Sequence, residues 1–230
     1  MAKKSPKLPR KTKQHKERAV ELLGKLYQYY PNPHCELNHS NPFELLIATI
    51  LSAQCTDVRV NQVTADLFVN YPTVDAFADA DLQELEEAVR PTGFYKNKAK
   101  SVQETARSIR ENFGGEVPQT MDELLTLRGA ARKTANVVLG NAFNINVGVV
   151  VDTHVRRLSN RFGLTRHQDP VKVERDLMAL FPQEEWTNVS HLMIHHGRNC
   201  CKARISNPPD HEICVTYGTK CECAKMRNSE

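Results

Sequence analysis

Apolar residues recur at helical spacing along almost the whole chain, and proline or glycine closes most of the runs. Ala19, Leu22, Leu23, Leu26 and Tyr30 share one face ahead of Pro31 and Pro33. Val60, Val63, Leu67 and Phe68 form another such stripe, as do Leu82, Leu85, Ala88 and Val89 before Pro91. Ala99, Val102, Ala106, Ile109 and Phe113 precede Gly114 and Gly115. Asp81 with Glu84, and Thr120 with Glu123, have the spacing of capping boxes, and Asp169-Pro170 reads as an N-cap followed by a first-turn proline. Residues 43–53 are apolar on nearly every side, which predicts a central buried helix. Residues 147–151 are the only strand-like run, and one run does not make a sheet. The pattern predicts an all-α chain of roughly ten helices. Its 230 residues suffice for one large domain or two small ones with a real core.

Glu44, Thr49 and Ser52 interrupt the longest greasy stretch, so no membrane span is expected. The first residues lack the apolar segment of a secretory signal, which predicts a cytoplasmic chain, nucleoid-associated if prokaryotic, in a reducing compartment. Disulfides are then not expected among the seven cysteines, five of which fall in residues 200–223. The net charge of +4 is uneven: residues 1–18 carry eight Lys or Arg against one Glu, and the remainder is slightly acidic. That composition suits either a flexible arm supplementing contact with a polyanion or a solvated tail.

Residues 127–139 (LRGAARKTANVVL) carry the sharpest functional signal. A short apolar helix, a turn holding Gly129 and a second helix make a helix–hairpin–helix over about residues 124–143. In such a unit the turn amides and the next helix N-terminus bind phosphate without reading a base.

This hairpin, followed by Val151-Asp152-Thr153-His154-Val155, resembles the endonuclease III family of DNA glycosylases. So do residues 40–57 (SNPFELLIATILSAQCTD), Gly93-Phe94-Tyr95 with Asn97-Lys98-Ala99, and His196-Gly197-Arg198. The similarity runs in consistent order over about residues 20–223. It implies removal of oxidised pyrimidines such as thymine glycol from duplex DNA, followed by strand nicking through β-elimination. The hairpin departs from the family pattern: Arg128 stands where proline is customary and Ala131 where a second glycine is. At positive φ the alanine costs about 1 kcal/mol; in an ordinary region it is harmless and even rigidifying.

A lysine amine that attacks C1′ stays bound as a Schiff base, from which the 3′ phosphate can be eliminated. The resemblance assigns that role to Lys133; without it, phosphate binding is the default for a lysine in a helix's first turn. Asp152 reads from the sequence as an N-cap, while the resemblance makes it the catalytic carboxylate, and both roles can coexist. A base inside a duplex must be flipped out. The resemblance implies that Gln54 fills the vacated stack and Phe94 wedges into the opposite strand. Arg128, Gly129, Ala131, Arg132 and Thr134 are the expected backbone contacts, and Asp57 and His154 are expected to line the pocket.

The resemblance also implies a four-iron, four-sulfur (4Fe–4S) cluster. His196-Gly197-Arg198 aligns its first ligand with Cys201, leaving Cys200 extra, and Cys214, Cys221 and Cys223 complete four thiolates. Their C-x12-C-x6-C-x1-C spacing is not the family's C-x6-C-x2-C-x5-C. His211 in place of one cysteine, a tetrahedral zinc site, and loss of the metal remain open alternatives. The implied architecture is two helical domains flanking a DNA-binding cleft. One is a six-helix barrel over 35–145 and the other a discontinuous domain of 19–34 with 146–230, preceded by the basic arm. The expected protein is a monomeric glycosylase and apurinic/apyrimidinic (AP) lyase. A water-using adenine-mismatch glycosylase and a non-catalytic DNA-binding module are the competing readings.

Overall fold

The computed structural model describes residues 8–204 and 211–219. Twelve α-helices and two 3₁₀ turns, and no strand, occur among them. The chain divides into two units: residues 35–147, and residues 1–34 together with 148–230.

The continuous unit contains α2 (Pro42–Leu51), α3 (Asp57–Asn70), α4 (Val74–Asp79), α5 (Leu82–Val89), α6 (Tyr95–Phe113), α7 (Met121–Leu124) and α8 (Arg132–Phe143). Helix α2 starts at Pro42 behind an Asn41 cap, and Phe43 and every residue from Leu45 to Leu51 are buried. Its one buried hydroxyl, on Thr49, donates to the Leu45 carbonyl at 2.7 Å, so no polar group is stranded in the core. Helix α6 holds the C-terminal end of α4. Gln103 and Arg107 donate to the carbonyls of Ala80 and Ala78, and Arg110 pairs with Asp79 at 2.8 Å. Helix α4 is absent from the expected set: its six residues bury only Phe77 and Ala78, too few to make a periodic stripe.

The split unit contains α1 (Lys13–Tyr29), α9 (Thr153–Arg161), α10 (Pro170–Leu180), α11 (Trp186–Asn199) and α12 (Glu212–Tyr217). Leu22, Leu26, Leu158, Phe162, Leu177, Trp186, Leu192 and Met193 form its core. The strand-like residues 147–151 pair with no partner strand. Val149 and Val150 are buried in an extended connector, and the Val150 amide donates to the Ser190 hydroxyl at 3.1 Å.

The basic N-terminal arm requires correction within the described residues. Helix α1 begins at Lys13, where the Thr12 hydroxyl caps the His15 amide. Lys11 pairs with Asp176 at 2.6 Å, and Arg18 donates to the carbonyls of Phe162 and Tyr217. These cations satisfy carbonyls and a carboxylate of their own unit, so charge density alone misreads them as a free arm. Residues 1–7 lie outside the described residues. No helix among the described residues is long and apolar enough to cross a membrane.

Candidate active site and metal centre

Nine of the twelve α-helices have a side chain capping the N-terminus; α6, α8 and α11 do not. Helix α11 follows directly on a 3₁₀ turn. The other two begin where the sequence places DNA contacts, at Phe94 and at Ala131, and no side chain caps them.

The hairpin is built around Gly129. Its φ is +83°, and a Cβ there would come within 3.3 Å of Ile50 Cγ2 and Ser101 Cβ, so both conformation and space call for glycine. The Thr105 hydroxyl fixes the turn by donating to the Arg128 carbonyl at 2.6 Å. Ala131, at φ −75°, ψ 170°, lies in ordinary extended backbone and carries no conformational penalty. Lys133 is the second residue of α8 and is exposed. Arg128 is paired with Glu104 at 2.6 Å, so any phosphate must compete with that carboxylate. Thr134 is buried, leaving its side chain unsuited to contact DNA, while Arg132 is half-buried.

Three non-glycine residues have positive φ among those described: Gln54, Phe94 and Asn144. Asn144 ends α8, an ordinary place for a left-handed residue. Gln54 (φ 53°) and Phe94 (φ 49°) are different, being exposed at the tips of tight turns. A left-handed backbone at a bulky residue is a cost that persists where surrounding structure imposes it. Lys98 is part of what imposes it here. It is buried, and its ammonium donates to the Thr92 carbonyl at 2.7 Å. Burial lowers its pKa, partly offset by Cys55. Sequence reasoning gave Lys98 no role because a lysine in a helix's first turn normally points to solvent.

In the split unit Asp152 is the N-cap of α9 and accepts the Val155 amide at 2.8 Å. One carboxylate oxygen therefore sets the helix start. His154, two residues on, is half-buried beside Arg157, whose guanidinium donates to the carbonyls of Gly197 and Cys201 at 2.9 and 3.0 Å. Burial lowers the His154 pKa against the pull of Asp152. Gly197 has no room for a side chain: a Cβ would lie 2.9 Å from His154 Nδ1 and 3.0 Å from Arg157. Asp57, half-buried, is the first residue of α3 behind the Thr56 cap.

A family model described as HhH-GPD superfamily base excision DNA repair protein matches residues 47–183. Endonuclease III of Synechocystis sp. is 57% identical over 197 residues, covering 86% of this chain and 90% of that one. This chain belongs to the endonuclease III family. Endonuclease III of Bacillus subtilis is 46% identical over 79% of this chain and 83% of its own. A solved non-covalent endonuclease III–DNA complex superposes with a TM-score of 0.84 at 42% identity, covering 94% of this chain and 99% of that one. A trapped endonuclease III–DNA covalent intermediate superposes at 0.83, also at 42% identity, covering 93% and 98%. The chain is thus a base-excision DNA-repair enzyme of the glycosylase and AP lyase type.

The endonuclease III resemblance implies a cubane held by Cys201, Cys214, Cys221 and Cys223, of which the last two lie outside the described residues. What gathers around His196 is a mixed set. His196 Nε2 is 3.2 Å from the Cys214 sulfur and the Cys200 sulfur is 3.9 Å from it. The ligand atoms of His196, Cys200 and His211 all lie within 4.8 Å of one another, positioned to hold a metal ion. Cys201 is turned to Arg161, which donates to its sulfur at 3.0 Å. Its thiol is pulled down to about 6, first by a hydrogen bond with Cys214 and then by that guanidinium. A cubane sets each thiolate on a different iron and keeps the sulfurs apart around a bulky inorganic core. Two imidazoles and the thiols of Cys200, Cys201 and Cys214, drawn this close together, do not fit that arrangement.

Proposed function

We propose that this endonuclease III family member excises oxidised pyrimidines of the thymine glycol type from duplex DNA and cleaves the strand at the resulting abasic site, with Lys133 as nucleophile. Its place of work is the nucleoid or its equivalent. The observation that carries the reading is the exposed amine of Lys133 on the uncapped first turn of α8, next to a Gly129 turn built for close backbone approach. The trapped covalent intermediate of a relative is consistent with a protein nucleophile.

Phosphate settles at the hairpin turn and the start of α8, and Phe94 and Gln54 enter the duplex as the damaged nucleotide swings out. The deprotonated Lys133 amine attacks C1′. The glycosidic C–N bond breaks, and the base leaves with its electron pair and takes up a proton. The sugar ring opens to a Schiff base, a proton leaves C2′, and the C3′–O electrons depart with the phosphate. Water then hydrolyses the imine and returns free lysine. The Asp152 oxygen not held by the Val155 amide steadies positive charge on the sugar and relays these protons.

Borohydride reduction during turnover of a duplex with one thymine glycol tests this directly, because it turns the Schiff base into a stable amine. A cross-linked band that Lys133→Gln abolishes, with nicking reduced about a thousandfold or more, is the expected result. Base release without a trapped band would instead make this a water-using glycosylase. Neither band nor release on thymine glycol or on an abasic site would leave a DNA-binding module.

A further inference from the structure

The donors around His196 come from two helix ends, each at a spacing that aims both side chains the same way. His196 and Cys200 are i, i+4 at the end of α11, and His211 and Cys214 are i, i+3 at the start of α12. Two thiolates on one tetrahedral ion, each at about 2.3 Å, lie about 3.8 Å apart. The Cys200 and Cys214 sulfurs are 3.9 Å apart. His196 and Cys214 are fully buried, so an ion held there is shielded from water. The Tyr30 hydroxyl lies 3.2 Å from His196 Nδ1, fixing the ring so that Nε2 faces the cysteines. That is the outer contact a metal-bound histidine ordinarily has.

We propose that His196, Cys200, His211 and Cys214 bind a single tetrahedral zinc ion, where the family carries an iron–sulfur cubane. Two thiols lose their protons on binding, His211 gives up its cap on the Ile213 amide to ligate, and two thiolates with two neutral imidazoles balance the dication, giving a site of zero net charge that suits a buried position. Imidazole and thiolate together select zinc over harder cations. The ion joins the end of α11 to α12 across residues 201–210, so its role is structural, and it acts whether or not Lys133 is the nucleophile. Cys201, which the resemblance makes the first cluster ligand, stays one shell out, its thiol hydrogen-bonded to Cys214 and held by Arg161. The departure from the family spacing follows: the chain has exchanged a four-cysteine pattern for a pair of helix-end ligand pairs.

The test is metal analysis of the full chain purified anaerobically from cells supplied with both iron and zinc. The expected result is one zinc per chain, no acid-labile sulfide and no visible charge-transfer absorption. Cobalt substituted for zinc should give the intense visible bands of a tetrahedral thiolate site. Cys200→Ser and His196→Gln should lose the ion, and Cys201→Ser and the Cys221→Ser, Cys223→Ser pair should keep it. Iron with equimolar sulfide in the wild-type chain would overturn the proposal without any variant needing to fold. So would a metal-free chain, or zinc that depends on Cys201 and survives Cys200→Ser.

Discussion

In the continuous unit Gln54 and Phe94 stand exposed on turns and Lys133 on the first turn of α8, whereas in the split unit Asp152 holds the Val155 amide and His154 and Gly197 are packed against each other. The first arrangement fixes backbones and leaves side chains free to enter a partner. Gly129 rests on Ile50 and Ser101, and Lys98 holds the Thr92 carbonyl, yet the residues that reach outward have solvent around them. The second arrangement fixes the side chains themselves: Asp152 through an amide, His154 between Arg157 and Gly197. Groups that insert between bases need room to move. A carboxylate that steadies charge needs a set position.

The largest effect expected from this contrast is a separation of cap from charge at Asp152. Asparagine caps a helix as well as aspartate but carries no charge. Asp152→Asn should therefore unfold at the wild-type temperature while base release slows by about a hundredfold to ten-thousandfold. Asp152→Ala should lose about 1 kcal/mol of stability in addition. If Asp152→Asn kept wild-type turnover, Asp152 would be a cap only.

Two glycine substitutions probe the supports and should be smaller. Gly197→Ala forces a methyl against His154 and Arg157, and Gly129→Ala combines positive φ with contact to Ile50. Each should cost about 1–3 kcal/mol in denaturant unfolding. They should differ in function: Gly129→Ala should weaken binding to undamaged duplex, and Gly197→Ala should leave that binding intact.

Much of this was legible in the sequence, and the failures have physical causes. An apolar run such as residues 43–53 has one sensible fate, and N-caps such as Asp81, Thr120, Asp169 and Asp152 declare themselves through an oxygen followed by helical periodicity. Helix α4 carried too few buried residues to register. Lys11 and Arg18 looked free because nothing local shows that Asp176, Phe162 and Tyr217 come round to meet them. At the site, the positive φ of Gln54 and Phe94 and the burial of Lys98 are imposed by packing, not by residue type. Cys200 was set aside for Cys201 by alignment alone, and only three-dimensional placement turns it toward His196 and Cys214.

A pH effect reads the burial of one histidine in the split unit. His191 is pushed down to about 4, first by burial and then by His195 and His34. A histidine with a lowered folded-state pKa stabilises the fold fully above its unfolded value of 6.5. That contribution is lost as pH falls from 6.5 toward 4, because the unfolded chain binds the proton first. The loss should be about 1–3 kcal/mol across that window, and His191→Asn should flatten it. An unchanged acid limb in the variant would assign the loss to other groups.

The smallest effect concerns Ala131, where the chain departs from the family's glycine. Its φ of −75° is open to any residue, so alanine introduces no strain, and it restricts the unfolded chain more than glycine does. Ala131→Gly should therefore destabilise by about 0.4–1 kcal/mol, opposite in sign to what a left-handed position would give. Binding to an abasic-site duplex should change less than twofold, since the amides at the start of α8 are the same with either residue. A gain in stability on Ala131→Gly would mean that this turn is strained after all. Tighter DNA binding at equal stability would mean that the methyl group keeps the phosphate away.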